Sequence, residues 1–536
     1  MRALPLALAL LLAIPATMVV AMPKALPEFA EPFRVPASAP GDEEEHAHEA
    51  QDDAGSAPAG DAHAGHAARA PSGEHQHARE RTVWPAAEGA VPTSTEGLVE
   101  VSRVHIEGKP ARAKLAEQEI PLAGTGTLAD PYVLEGLYVR GELELQDTSD
   151  YYVVRNSIIG GTLRLNWNDD RVHVHHNKVR DLRVNENIER KGEATGGLIE
   201  LNVIGVVGQI RHFDGVLRAN EVGPIPSGFF DDVTEDSGIS IPFAAAPRAV
   251  NIDGFDGALF EENTILGYVE MQLHGHHHAS CFACHSHNHA VSGAMEHDHT
   301  IRYHEADFIG NTIVVDEGVA FRYTDAVHRG DDRTARSEPN KDLELPHVHY
   351  TRLAITDNVV EGGPMVIDIL NADSRDHENE ETDDIEEVAI HAAHAYRADL
   401  LVARNAITWA LPERPLEVAW LEESVKDGLL VRDVKEAHVA LVGNVIVMSG
   451  ATSPRLAGLP LLGAWLGGEA PSALQMADVR SARLLVEDNE LAGAHFGILA
   501  RAFAEDATWI DGGNAYKDVK KEIEADQGAR PERSPE

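Results

Sequence analysis

The most constraining feature of this chain is an asparagine followed two places later by an aliphatic residue, repeated from end to end. The copies run Asn156-Ser157-Ile158, Asn177-Lys178-Val179, Asn202-Val203-Ile204, Asn220-Glu221-Val222, Asn263-Thr264-Ile265, Asn311-Thr312-Ile313, Asn358-Val359-Val360, Asn405-Ala406-Ile407, Asn444-Val445-Ile446 and Asn489-Glu490-Leu491, with Asn514-Ala515-Tyr516 as a terminal variant. Positions 156, 177, 202 and 220 lie 21, 25 and 18 residues apart, close to one coil of a three-sided solenoid. Between the copies stand runs of Val, Ile and Leu broken by Gly, Asn and Asp, with little helical periodicity. The pattern predicts an all-β chain, a right-handed parallel β-helix with long loop insertions, over residues 96–516. Later copies lie 39 to 48 residues apart, and the extra length falls in polar, His-rich or acid-rich stretches such as 325–347 and 371–384. Asparagine suits a left-handed corner between strands, and its amide can bond the backbone of neighbouring coils. The aliphatic residue then points into a continuous core.

The flanks read differently. Residues 1–21 are apolar after Arg2 and resemble a cleaved export signal, which predicts a secreted or periplasmic protein with no stable membrane span. Residues 22–95 are rich in Ala, Pro, Gly, Glu, Asp and His, and predict a disordered linker carrying His46, His48, His63, His66, His75 and His77. Residues 517–536 read as a disordered charged tail, and the apolar stretch 456–466 as a cap for the solenoid. With 45 basic against 88 acidic residues, the chain is a poor ligand for a nucleic-acid backbone.

Residues 274–304 pack together His274, His276, His277, His278, Cys281, Cys284, His285, His287, His289, His297, His299 and His304. Imidazole and thiolate are the ligands that copper and zinc prefer, and so dense a set fills no apolar core. The insertion therefore predicts a transition-metal site, with a solvated polar loop as the bland alternative. Within it Cys281, Cys284 and His285 match the Cys-x-x-Cys-His attachment signature of c-type haem, although a disulfide between the two cysteines is also open. If solenoid insertions stack on one side, His328, His347, His349, His377, His391 and His394 join the same face. The acids in these insertions make calcium a further candidate, against a merely solvated charge run. A second group, Asn166, Asn168, Asp169, Asp170, His173, His175 and His176, places His173 and His175 outward on one strand, where they either chelate an ion or simply face solvent.

The segment from Gly124 to Gly136, reading Gly-Thr-Gly-Thr-Leu-Ala-Asp-Pro-Tyr-Val-Leu-Glu-Gly, resembles the opening coil of pectate-lyase-like β-helix proteins, particularly the NosD-type periplasmic copper-accessory group. That resemblance implies the β-helix fold over about 120–515 and a role in copper handling, with a client metalloprotein as partner. The same architecture also hosts polysaccharide lyases and glycoside hydrolases, so a polysaccharide is the rival partner. For that enzyme reading the candidate residues are Asp253, Asp256, Arg302, Arg322 and Arg352, while aromatic residues that stack on sugars make up only 5% of the chain.

Overall fold

The computed structural model describes residues 81–533, apart from 167, 169–170, 185–195, 224–247, 256, 275–301, 317, 327–346, 370–393, 411–426, 435–436, 450–469, 527 and 530. The export segment, the histidines of 46–77 and the apolar stretch 456–466 thus lie outside the described residues. What is described is a parallel β-helix. Each coil contributes a strand to each of three faces. The first face is a 13-stranded sheet that runs from Tyr132–Glu135 through Tyr152–Arg155, Val172–His175, Leu198–Glu200, Val216–Arg218 and Ala258–Glu261 to Glu532–Arg533. The other two faces share one 23-stranded sheet. They merge because the strands Ile158–Asn166 and Val203–Phe213 each run through the corner between them. All strand pairs are parallel and join successive coils, as a solenoid requires.

The repeated asparagine sits in the interior of the corner between the first and second faces. From Asn177 to Asn489 each is at most 2% exposed. From Asn202 onward each Oδ1 accepts the backbone N–H and the side-chain Nδ2 of the asparagine one coil earlier, as Asn358 does from Asn311 at 2.8 and 3.1 Å. Each Nδ2 donates to a first-face carbonyl of the preceding coil, Asn358 to Phe308 at 2.9 Å and Asn405 to Ile355 at 2.8 Å. The side chain thus satisfies backbone groups that a sharp corner removes from the sheet ladder.

Two details differ from the sequence reading. The left-handed residue is not the asparagine but the one before it: His176, Leu201, Ala219, Glu262, Gly310, Asp357, Arg404, Gly443, Asp488 and Gly513 all have φ between 49° and 66°. In the first copy it is Asn156 that takes this conformation, and Ser157 stands at the ladder position, its N–H donating to Asn177 Oδ1 at 3.1 Å. The aliphatic partner behaves as expected, with Val179, Ile204, Val222, Ile265, Ile313, Val360, Ile407, Ile446 and Leu491 all in the core. A column of aromatics joins them, with ring centroids 6.1 Å apart for Phe213–Phe260 and Phe260–Phe308 and 5.2 Å for Phe308–Phe321.

The tail after Lys517, expected to be disordered, forms a last coil. Lys521–Ala525 pairs with Phe496–Phe503, Glu532–Arg533 pairs with Thr508–Gly512, and buried Trp509 donates Nε1–H to Ala529 O at 2.6 Å. A terminal coil needs an apolar inner face only, and Ile523, Ala525 and Ala529 suffice for it among the charges. Likewise residues 81–95, expected as linker, carry no regular strand but lie against the first face, because Trp84 gives them an apolar anchor on Tyr151 and His173. Among the described residues no helix is long and apolar enough to cross a membrane.

Replacing an inner rung, Asn358→Ala, should lower unfolding stability by roughly 2–4 kcal/mol, because it removes buried hydrogen-bond partners from both neighbouring coils. The half-buried terminal rung, Asn514→Ala, should cost less than half of that. Urea unfolding followed by circular dichroism measures both, and equal losses would show that the ladder is not what the inner corner depends on.

Candidate functional site

The coils fix where the insertions begin and end. Three leave from neighbouring third-face strands, 275–301 after Tyr268–His274, 327–346 after Phe321–Ala326 and 370–393 shortly after Met365–Asp368. They return into neighbouring first-face strands Arg302–Ile309, His347–Thr356 and His394–Ala403. Two others, 411–426 and 450–469, lie ahead of third-face strands Leu429–Arg432 and Ser472–Val479, as does 224–247 ahead of Arg248–Phe255. Insertions therefore attach along both borders of the third face.

Of the expected metal ligands, His274 is the last residue of its strand, in register with Ala326, and His304 lies in Arg302–Ile309 opposite Thr351. His347 and His394 are register partners on adjacent coils, and His349 pairs with Arg302. His276, His277, His278, Cys281, Cys284, His285, His287, His289, His297 and His299 lie outside the described residues, as do His328, His377 and His391. Among the described residues no group of three or more His, Cys, Asp or Glu side chains converges as a metal site.

On the third face, between those borders, acids and arginines alternate across coils. Phe321, Tyr323, Met365, Ile367, Leu429 and Val431 point into the core, so alternation turns Arg322, Asp368 and Arg432 outward. Arg322 Nη1 lies 3.3 Å from Glu270, and its Nη2 lies 3.8 Å from Asp368. Asp368 also meets Arg432 at 3.2 Å, and Arg432 meets Asp433 at 3.3 Å. Although it faces outward, Asp368 is fully buried. Burial raises its carboxyl above the usual range against the pull of Arg432 and Arg322. Asp433, about a third exposed and hydrogen-bonded to Asp368, is pushed up to about 6 by burial, with Asp368 and Asp478 adding to the rise against Arg432. Both carboxyls are thus raised, and Asp433 is the more exposed of the two.

On the first face, Glu135, Arg155, His175, Glu200, Arg218 and Glu261 occupy one register column. Arg155 meets Glu135 at 2.8 Å, and Arg218 meets Glu200 at 2.7 Å. His173 Nε2 lies 2.8 Å from Glu200 and donates to it in the neutral tautomer this carboxylate selects. The Nδ1 atoms of His175 and His176 lie 3.0 Å apart, one donating and the other accepting. Val172 and Val174 are core, so both intervening histidines point out as the alternation predicts. They do not face solvent: His173 is 2% and His175 3% exposed. Burial lowers His173 although Glu200 pulls it up, and burial together with His173, His176 and Arg155 takes His175 down to about 4. Burial works to raise Glu200, but hydrogen bonds from Arg218 and His173 outweigh it and hold the carboxyl low.

Comparison with protein-family models, with curated proteins and with solved structures found no match to this chain. The site thus rests on its own geometry. Arg322, singled out in the sequence, lies in the third-face cluster, whereas Arg352 is exposed and Asp256 lies outside the described residues. Glu270, Asp368, Arg432 and Asp433 carry no local motif. Only their equivalent placement relative to the asparagine repeat, counted coil by coil, would have exposed them.

Asp433 is raised above its ordinary value, so the folded protein binds the extra proton between about pH 4 and pH 6, and stability from this group falls as pH rises through that window. Asp433→Asn keeps the corner and removes the charge. It should therefore gain on wild type in unfolding midpoint between pH 4 and pH 7, and a constant difference would show that Asp433 is not raised.

Proposed function

We propose that the protein is an exported β-helix that binds a transition metal, copper or zinc, through the His/Cys-rich insertion, for buffering or delivery. The observation that carries this reading is the common border from which the insertions 275–301, 327–346 and 370–393 leave and to which they return. Parallel register brings the attachment points of three consecutive insertions, and the partners His347 and His394, to neighbouring coils about 4.8 Å apart. The borders of the three insertions are thereby set along one edge of the coils. His274 and His304 bound the first insertion at the same edge. The opening motif from Gly124 to Gly136 contains the first strand of the first face, Tyr132–Glu135, and its resemblance to NosD-type copper-accessory β-helix proteins is what suggests copper. Neutral imidazoles and thiolates would hold a soft or borderline ion, and a haem attached at Cys281 and Cys284 with His285 as ligand is the variant to be separated from it.

Elemental analysis of the mature protein, set beside Cys281→Ser/Cys284→Ser, tests this. At least one copper or zinc per chain is expected, falling in the double variant, with no Soret band in the absorbance spectrum. A Soret band would replace the reading with haem, and metal-free protein after exposure to both ions would end it.

A second reading has its own observation, the Asp368–Asp433 pair on a face bordered by insertions. A proton held near pH 6 on a partly exposed carboxyl is what a general acid in a glycoside hydrolase or lyase uses. If a screen of linear and acidic glycans finds turnover, Asp433→Asn should reduce kcat by about 100-fold or more at pH 6. Unchanged kcat would separate any activity from this pair.

A further inference from the structure

We propose that residues 81–95 form a strap that stays docked on the first face while the His173 and His175 imidazoles beneath it are neutral, and that lets go when they are protonated. This device is independent of the metal reading. The strap touches the coils at three described points. Arg81 donates to Gly257 O at 2.6 Å, Trp84 packs edge-on to Tyr151 at 5.7 Å and tilted over His173 at 5.2 Å, and Ala90 N–H donates to Asn156 Oδ1 at 3.3 Å. Gly89 permits the last contact: its φ is 144°, and a Cβ there would stand 2.2 Å from Asn156 Oδ1. Asn156 is itself held by Glu135, to which its Nδ2 donates at 2.7 Å.

What lies below is unusual for a solvent-side strand position. Outward residues of a β-helix face are normally hydrated, yet both imidazoles are almost fully covered, with ring centroids 4.5 Å apart. The charged and titratable groups facing them come from every neighbouring coil. Glu200 and Arg218 lie on the later side, Arg155 and Glu135 on the earlier side, and His176 at the corner. Among the described residues one acid, Glu200, bonds His173 directly, and Arg218 already occupies its other oxygen. Glu135 is likewise taken by Arg155 and Asn156. A proton added to either histidine thus meets Arg155, Arg218 and the other imidazoles with little free anion to balance it. The strap's own charged residues are Arg81 and Glu88, both exposed, so it supplies no buried counter-charge. A charged imidazole under Trp84 is relieved most simply by water, which enters when the strap leaves.

The direction follows from linkage. A histidine lowered in the docked state binds its proton more weakly there, so docking is fully favoured above the ordinary histidine value and weakens as pH falls toward the docked one. If the whole lowering of His175 to about 4 belonged to docking, the docking constant would fall by up to roughly 300-fold across that range. The coils themselves supply much of the burial and all of the neighbouring charges, so the expected effect is smaller, on the order of tenfold.

Hydrogen exchange of the full chain at pH 7 and pH 4.5, corrected for intrinsic rates, tests the strap. Protection of the 84–95 peptide, with the Ala90 amide as reporter, should fall by about tenfold or more at the lower pH while the coil peptides around Ile199 and Leu217 stay protected. In His173→Gln/His175→Gln, which cannot take up these protons, the strap should keep its protection at both values. Equal strap protection in wild type at both pH values, or the wild-type loss persisting in the double variant, would overturn the proposal. Should the double variant not fold, imidazole titration of Trp84→Ala by NMR decides: His173 and His175 should titrate nearer to the ordinary histidine value than in wild type, and unchanged titration would overturn the idea equally.

Discussion

Everything described here hangs on the column of buried asparagines at one corner. A chain that turns sharply out of one sheet into another breaks its ladder there, and a broken ladder leaves backbone donors and acceptors inside the molecule. The asparagine amide repairs one corner with a donor and an acceptor of fixed geometry, and it does so on both neighbouring coils at once, as Asn405 shows between Asn358 and Asn444. Because every rung uses its neighbours, the ladder fixes register as well as energy: a slip by one residue would bury a corner residue such as Arg404 or Asp357 where an amide is needed.

Fixed register lets so acidic a chain build specific outer faces. With the core set by alternate aliphatic and aromatic residues, the outward positions fall into straight columns, and charges far apart in sequence become neighbours. Glu270 and Asp433 are 163 positions apart, yet one run of contacts through Arg322, Asp368 and Arg432 connects them. A buried network of this kind adds little net stability over an apolar equivalent, and its retention on the face bordered by the insertions is therefore more informative about function than about folding.

Much of the architecture was legible in advance. The asparagine spacing and its aliphatic partner predict the coil, and the core residues from Val179 to Leu491 follow that prediction. The positive-φ residue was misplaced by one position because asparagine is the usual occupant of such corners, whereas here the corner conformation is imposed on whatever precedes it, even Leu201 and Arg404. Residues 81–95 and the stretch after Lys517 depart from the expectation for a related reason. Composition reports the average polarity of a segment, but docking needs only a few apolar groups in register, Trp84 at one end and Ile523 with Ala529 at the other. The histidines of Val172–His175 were seen as an outward pair, but not as a buried one, since nothing local in the sequence tells of a strap that comes from 81–95.

By itself, then, the sequence determined the class of fold, the repeat and the density of His and Cys side chains in 274–304, because periodicity and composition are local properties that survive without coordinates. Only the tertiary structure decided which distant residues meet. The Asp368–Asp433 pair, the Glu270–Arg322 contact and the Trp84 cover over His173 each join positions from different coils. The lengths of the intervening insertions, which carry no signal of their own, separate those positions in sequence, while a rise of about 4.8 Å per coil brings them together in space.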